Sequence, residues 1–187
     1  SAQSRKFTVK VGEMEVSMEE YNRQQSELIK DLQHQMITLQ KALEEARQTN
    51  PDGAKPAIPD YSLQAPTVRR SVLWVGDHPK TNAVMIQNLM DSGVDVTTAG
   101  SSREGLARLR ARSFDKVVTD LHHPNGVSGA SVVGIELVKS IRQMRQDIPV
   151  YIFTNPSKAE EMFDAAEDAG ANQITGSPTI LMALLRS

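Results

Sequence analysis

Two aspartates directly follow short apolar segments and are the residues best placed to do chemistry. Asp120 ends the segment Phe114–Asp120, in which adjacent valines predict a buried strand, and a proline and a glycine break that strand soon afterwards. Asp77 follows the apolar run 71–75. Open parallel sheets place their sites at the carboxyl ends of strands, so we expect both carboxylates at one edge of a sheet.

Three histidines lie in the same two loops and raise the question of a transition-metal site. They are His78, His122 and His123, and together with Asp77 and Asp120 they offer the nitrogen and oxygen ligands that such a metal takes. Adjacent histidines seldom both reach one ion, so the favoured interpretation is ordinary polar loop residues. A nucleotide-binding protein is weakly supported, because the sequence contains neither a G-x-G-x-x-G nor a P-loop motif.

Residues 69–187 alternate five predicted strands with five predicted helices. Apolar runs and β-branched residues indicate the strands, and spacings of three and four residues indicate the helices. This order predicts an α/β fold, a flavodoxin-like (βα)5 doubly wound parallel sheet with right-handed crossovers. The predicted strands are 71–75, 94–99, 115–119, 150–153 and 173–175, and the predicted helices are 81–91, 101–111, 134–144, 156–169 and 180–185.

A β-hairpin and a long helix are predicted to precede this domain, within residues 5–49. The pair Gly12-Glu13 suits a two-residue turn, and the register it sets pairs Val11 with Met14, Val9 with Val16 and Phe7 with Met18 on one apolar face. Ser17-Met-Glu-Glu20 has the form of a capping box, so a helix should begin there and continue to about Arg47.

An apolar stripe on this helix has two interpretations. Residues at spacings of three and four form a short coiled-coil seam, which favours a homodimer through residues 5–49; packing against the chain's own domain is the alternative. The proline-rich segment 50–68 is interpreted as a linker, and because it separates the helix from the following domain it favours the dimer. The seam residues are Ile29, Leu32, Met36, Leu39, Leu43 and Ala46.

Composition limits the classes of function. The net charge of the 187 residues is −2, which gives no electrostatic reason to expect nucleic-acid binding. The chain contains no cysteine, which excludes disulfides and thiolate metal sites and fits a cytoplasmic setting. No apolar run approaches the roughly 20 residues of a membrane span.

Several motifs in residues 71–185, taken in their order, resemble the receiver domain of two-component response regulators. They are Val72-Leu-Trp-Val-Gly-Asp77, Phe114-Asp-Lys-Val-Val-Thr-Asp120-Leu-His-His-Pro124, Ile148-Pro-Val-Tyr-Ile-Phe-Thr154, Ala169-Gly-Ala171 and Ser177-Pro178. Receivers take a phosphoryl group from a histidine kinase onto an aspartate beside a divalent cation. The resemblance therefore implies a cytoplasmic signalling module with protein partners, either a kinase or a downstream effector, and no enzymatic output.

The resemblance assigns roles to individual residues and also shows departures. It makes Asp120 the candidate phospho-acceptor and Thr154 the switch hydroxyl, and it implies a weakened Mg2+ site of Asp77, Asp120 and His122. Other positions depart from the family pattern. Gly76 replaces an acid of the metal pair, Ser177 replaces the phosphate-pairing lysine, Ile174 replaces the switch aromatic, and the loop from Pro124 to Gly134 is longer than usual.

These departures leave three functions open. The favoured one is an atypical or pseudo-receiver that acts through protein contacts, because losing a carboxylate and a lysine costs on the order of 1–3 kcal/mol each. The second is a phospho-accepting receiver that uses Asp120. The third is a small-ligand or metal-binding flavodoxin-like domain at the same strand ends.

Overall fold

A computed structural model shows a five-stranded parallel sheet with helices on both faces, preceded by an antiparallel hairpin and a long helix. It describes residues 8–11, 14–49, 70–77, 79–121, 132–145 and 147–187. The hairpin strands are β1 (Thr8–Val11) and β2 (Met14–Ser17), and the sheet strands are β3 (Ser71–Val75), β4 (Asp95–Ala99), β5 (Lys116–Asp120), β6 (Val150–Phe153) and β7 (Gln173–Thr175). The α-helices are α1 (Met18–Thr49), α2 (Ala83–Asp91), α3 (Ser102–Ala111), α4 (Val133–Met144), α5 (Pro156–Glu161), α6 (Phe163–Asp168) and α7 (Pro178–Arg186).

The sheet has the strand order β4-β3-β5-β6-β7, which confirms the predicted doubly wound fold. Its central strands are covered on both faces, since Leu73 and Val117 belong to one hydrophobic core and Trp74 and Val118 belong to the other. All four side chains are at most 1% exposed. The continuous apolar runs of the sequence exist because successive side chains enter opposite cores.

Helix boundaries differ from the prediction in two places. The predicted helix 156–169 is divided into α5 and α6, with Met162 ending one and beginning the other. The predicted helix 81–91 begins instead as a 3₁₀ turn, Pro79–Asn82, which α2 continues. The sequence Ser101-Ser-Arg-Glu104 also has the form of a capping box, and the structure confirms it: the Ser101 hydroxyl accepts the Glu104 N–H and the Glu104 carboxylate accepts the Gly100 N–H.

The hairpin has the predicted register. Val9 pairs with Val16 and Val11 pairs with Met14. The proposed Phe7–Met18 pair lies outside what the structure describes, because Phe7 is not among the described residues. Val11 and Val16 are buried and pack with Ala83 at the start of α2, so the apolar face of the hairpin is covered by the chain's own domain.

Helix α1 is also docked on the domain over its first half. Leu28 packs against the core cluster that contains Trp74, while the apolar stripe predicted on the helix remains exposed. The linker prediction for 50–68 lies outside the described residues. No helix in the described part of the chain combines the length and the hydropathy that crossing a bilayer requires.

Candidate functional site

The strand order places the predicted site residues at one edge of the sheet. Strands β3, β5 and β6 are consecutive neighbours, and the register pairs Val75 with Thr119 and Asp120 with Phe153. Asp77 follows β3, Asp120 ends β5 and Thr154 follows β6, so all three lie at the carboxyl edge where parallel sheets carry their sites.

The volume that a side chain at Gly76 would need is already filled by a neighbouring side chain. A Cβ atom built on Gly76 would lie 2.1 Å from Oδ2 and 2.9 Å from Cγ of Asp120. The Asp120 carboxylate therefore lies over the Gly76 backbone, in the volume that a side chain at position 76 would need. The sequence shows the loss of an acid at this position, and the structure shows that the neighbouring acid fills the vacated volume.

Asn82 is a second neighbour of the Asp120 carboxylate. Its side-chain nitrogen donates to Oδ1 of Asp120 at 3.4 Å, and only 7% of Asn82 is exposed. Asn82 stands at the start of α2, where an asparagine side chain commonly caps the helix, but it makes no cap hydrogen bond here. Sequence reasoning missed Asn82, because its role requires the Asp120 strand to lie beside it.

The metal site predicted from Asp77, Asp120 and His122 is only partly visible. His122 lies outside the described residues. Among the described residues, no group of three histidine, cysteine or acidic side chains is arranged to hold a metal ion. Because His122 is not described, the site predicted from Asp77, Asp120 and His122 stays a prediction. Of its ligands, Asp77 and Asp120 supply the oxygen donors that Mg2+ takes.

Ser177, which replaces the phosphate-pairing lysine, is engaged by helix α1. Its hydroxyl donates to Oδ2 of Asp31 at 2.7 Å and accepts the Ile180 N–H at 3.2 Å as the N-cap of α7. The same Asp31 oxygen accepts the Thr179 N–H at 2.9 Å. A serine here thus anchors an acidic side chain of α1 at the positive end of α7.

Thr154 borders a cleft between α1 and the carboxyl edge of the sheet. The cleft has a volume of about 650 Å3, and its lining includes Thr154, Asn82, Phe153 and Leu28. Ile174, at the switch-aromatic position, is buried in the core beside the sheet. A rotation of this side chain between an inward and an outward position, which an aromatic switch requires, would remove an aliphatic residue from that core.

The second anchor of α1 is Gln24, a side chain that is 7% exposed. Its Nε2 donates to the Lys80 carbonyl at 2.7 Å, and its Oε1 accepts the Val84 N–H at 3.0 Å. Gln24 and Asp31 were not among the residues predicted from the sequence. They are seven residues apart and therefore lie on the same helix face as Leu28. This spacing is visible in the sequence, but it does not distinguish a polar face that docks on the domain from one that faces solvent.

Two acidic side chains and one lysine of the receiver-like domain have pKa values that their contacts or burial shift. Backbone and hydroxyl donors of Ser71 hold the pKa of Asp115 below its usual value at the opposite end of the sheet. The Gly100 N–H and the Arg108 guanidinium lower the pKa of Glu104. Burial lowers the pKa of Lys116, whose ammonium donates to the Leu184 carbonyl.

Comparison with known proteins agrees with the fold just described. The family model for the response regulator receiver domain matches residues 72–178. Two sensor proteins named EvgS, from Escherichia coli O157:H7 and strain K12, are 28% and 26% identical over 91 residues, which is 49% of this chain. The matched part is only 7% of the length of either sensor protein.

Solved structures of receiver proteins superpose on the second part of the chain. The chemotaxis response regulator CheY4 of Vibrio cholerae is 25% identical with a TM-score of 0.52, and the alignment covers 63% of this chain and 96% of CheY4. The response regulator TrrA of Thermotoga maritima, solved with Mg2+ and BeF, is 20% identical with a TM-score of 0.50 and covers 62% and 98%. The second likeness shows the fold alone.

Proposed function

Because the chain belongs to the response regulator receiver family, we propose that it is a receiver module that signals through protein contacts, with impaired or absent phosphoryl acceptance. The observation that carries this proposal is the position of the Asp120 carboxylate over Gly76. An acceptor in that position blocks the volume of the first metal-binding acid, which Gly76 replaces, and a receiver needs a cation to neutralise the transferring phosphoryl group.

The use of Ser177 supports the same function. Its hydroxyl is bonded to Asp31, so the position that pairs with phosphate in active receivers takes part in helix docking here. We propose that residues 69–187 are the receiver domain and that residues 5–49 are an extension that meets partners. Any Mg2+ at Asp77 and Asp120 would be bound weakly, and a cytoplasmic setting is proposed from the absence of cysteine.

A phosphoryl-analogue experiment tests impaired acceptance. The full chain is incubated with Mg2+ and either acetyl phosphate or beryllofluoride, and modification of Asp120 is measured by intact mass and by 19F NMR. We expect less than stoichiometric modification even at saturating donor, and Asp120→Asn serves as the blank. Stoichiometric modification at Asp120 would refute the impaired site and establish the alternative function, a phospho-accepting receiver.

That alternative has its own supporting observation. Asp77, Asp120 and Thr154 lie at the ends of three neighbouring strands, so the candidates for the metal-binding acid, the acceptor and the switch hydroxyl share one edge of the sheet. The third function, small-ligand binding, is supported by the cleft of about 650 Å3 beside Thr154, which falls in the usual size range of such sites. Calorimetric titration with Mg2+, Zn2+ and nucleotides tests it, and no heat with any of them would remove it.

We further propose that the exposed half of α1 forms a homodimer with a second copy. The docking face of α1 and its apolar stripe are about 90° apart around the helix, so docking on the domain leaves the stripe available. The stripe residues are 49–69% exposed and comprise Ile29, Leu32, Met36, Leu39 and Leu43. Their flanking positions are uncharged, with Gln33, Gln35, Gln40 and Ala42, so two identical copies meet without like-charge repulsion.

Sedimentation equilibrium of the full chain tests the dimer. We expect a concentration-dependent dimer that Leu39→Asp abolishes, because the substitution places a charge in the seam. Thr38→Asp is the matched control, since Thr38 is also exposed but lies outside the stripe. A monomer at all concentrations, or equal effects of both substitutions, would overturn the proposal.

A further inference from the structure

The start of α2 contains an interrupted hydrogen bond. In a continuous α-helix the Val84 N–H would donate to the carbonyl four residues earlier, which is that of Lys80. Instead the carboxamide of Gln24 lies between them, accepting from Val84 at 3.0 Å and donating to Lys80 at 2.7 Å. A side chain from α1 thus replaces one rung of the backbone ladder.

This insertion coincides with a change of helix type. Residues Pro79–Asn82 form a 3₁₀ turn and the α-helix begins only at Ala83. A side chain inserted into the backbone ladder is a recognised cause of local helix distortion. Gln24 is almost fully buried at this position, and its amide nitrogen also donates to Glu20, so the carboxamide is held in place from its own helix.

Asn82 lies at this junction, between the two residues that Gln24 separates. Its backbone φ of −112° and ψ of 15° are not helical, and its side chain points to Asp120. If the direct Val84–Lys80 hydrogen bond formed, α2 would extend backwards through Asn82. The asparagine would then take helical dihedrals and its side chain would turn with the backbone.

We propose that Gln24 is a positioning residue for the acceptor site. By keeping the junction between the 3₁₀ turn and α2 open, it directs Asn82 towards Asp120, although it touches neither residue's functional group in this role. The N-terminal extension is therefore a working part of the receiver site. The proposal concerns hydrogen bonds in the unmodified protein and holds whether or not Asp120 accepts a phosphoryl group.

NMR of the full chain tests this chain of contacts. In an otherwise wild-type chain, Asp120→Asn should shift the side-chain amide resonances of Asn82. In Gln24→Ala and in the larger Gln24→Leu, the Asn82 resonances should move and should no longer respond to Asp120→Asn. The Cα shifts of residues 80–83 should also move towards helical values. Gln24→Leu fills the volume without hydrogen bonding, so it separates lost bonding from a cavity.

Two control substitutions distinguish positioning from general loosening. Gln25→Ala removes an exposed amide that bonds only within α1, and Asp31→Ala releases the other anchor of α1 from α7. Neither should alter the Asn82 side-chain resonances. The proposal is overturned if Asp31→Ala moves them as much as Gln24→Ala does, or if Asn82 still responds to Asp120→Asn in the Gln24 variants. The proposal is also overturned if Asp120→Asn, introduced into an otherwise wild-type chain, leaves the Asn82 side-chain amide resonances unchanged.

Discussion

The close approach of Gly76 to Asp120 makes a quantitative prediction for Gly76→Ala. The new Cβ would lie 2.1 Å from Oδ2, whereas ordinary contact begins near 3.4 Å, so the carboxylate must move by more than an ångström. An off-rotamer side chain costs about 1 kcal/mol. Loss of the long Asn82 hydrogen bond costs about another 1 kcal/mol.

A double-mutant cycle isolates this cost from the general effect of replacing glycine. Gly76→Ala also restricts the unfolded chain, which stabilises by roughly 0.4–1 kcal/mol. The net loss in the wild-type background is therefore about 1 kcal/mol. In the Asp120→Ala background the carboxylate is absent, so Gly76→Ala should be neutral or stabilising. We expect a coupling free energy of about 2 kcal/mol between the two positions.

Urea unfolding followed by circular dichroism measures all four members of the cycle. The slope m should stay constant, so that shifts of the midpoint report stability alone. A coupling below about 0.5 kcal/mol would refute the argument that the Asp120 carboxylate fills the volume above Gly76. The same result would mean that Gly76→Asp is free to rebuild a metal-binding pair. With the predicted coupling, Gly76→Asp must displace Asp120 before it can add a ligand.

Three further predictions concern α1, the capping box and the far end of the sheet. Asp31→Ala should lower the free energy of unfolding by about 1–2 kcal/mol in urea titrations, because two donors at the start of α7 lose their acceptor. The control is Lys30→Ala, which replaces an exposed side chain and should change the free energy of unfolding by less than about 0.5 kcal/mol. The Gly100 N–H and the Arg108 guanidinium lower the pKa of Glu104 in the folded state. Its contribution is therefore present above the usual value of 4.5 and is lost as pH falls through the folded pKa, so Glu104→Gln should flatten the acid side of a melting-temperature profile. Arg142→Met should cost about 2–4 kcal/mol in urea, since its guanidinium donates to the carbonyls of Gly170 and Ile148 and to the Asn172 side chain, and an unchanged midpoint would contradict that role.

The sheet and the hairpin were predictable because their signals are local and periodic. Adjacent valines in β5 require cover on both faces. The pair Gly12-Glu13 predicts a two-residue turn whose register pairs Val9 with Val16, and that pair is observed. Both features follow from side-chain alternation, which is visible in the sequence without knowledge of the tertiary fold. The break at Met162 was missed because the apolar spacing continues across it.

The contacts of the site were not predictable in the same way. Gln24 bonds to residues 56 and 60 positions away, and Asp31 bonds to residues 146 and 148 positions away. No local pattern records such partners. The length of the segment 50–68 suggested separation of α1 from the domain, but a long connection imposes little entropic cost on docking. From the sequence, Gly76 was interpreted only as the loss of a carboxylate. The sequence does not show that the Asp120 side chain fills the volume above this glycine.

Close packing of two loops has a mechanical consequence for α1. A Cβ on Gly176 would lie 2.3 Å from the Pro156 nitrogen, so the loops after β6 and β7 are in direct backbone contact. Asp31 fastens α1 to the loop after β7, and beyond this point the helix continues to Thr49, a lever arm of roughly 27 Å. A rotation of about 10° at the Asp31 anchor would move the far end of α1 sideways by roughly 5 Å. In the dimer that we propose for the exposed half of α1, a small tilt at the anchor would therefore change the separation of the two copies far more than it changes the anchor itself.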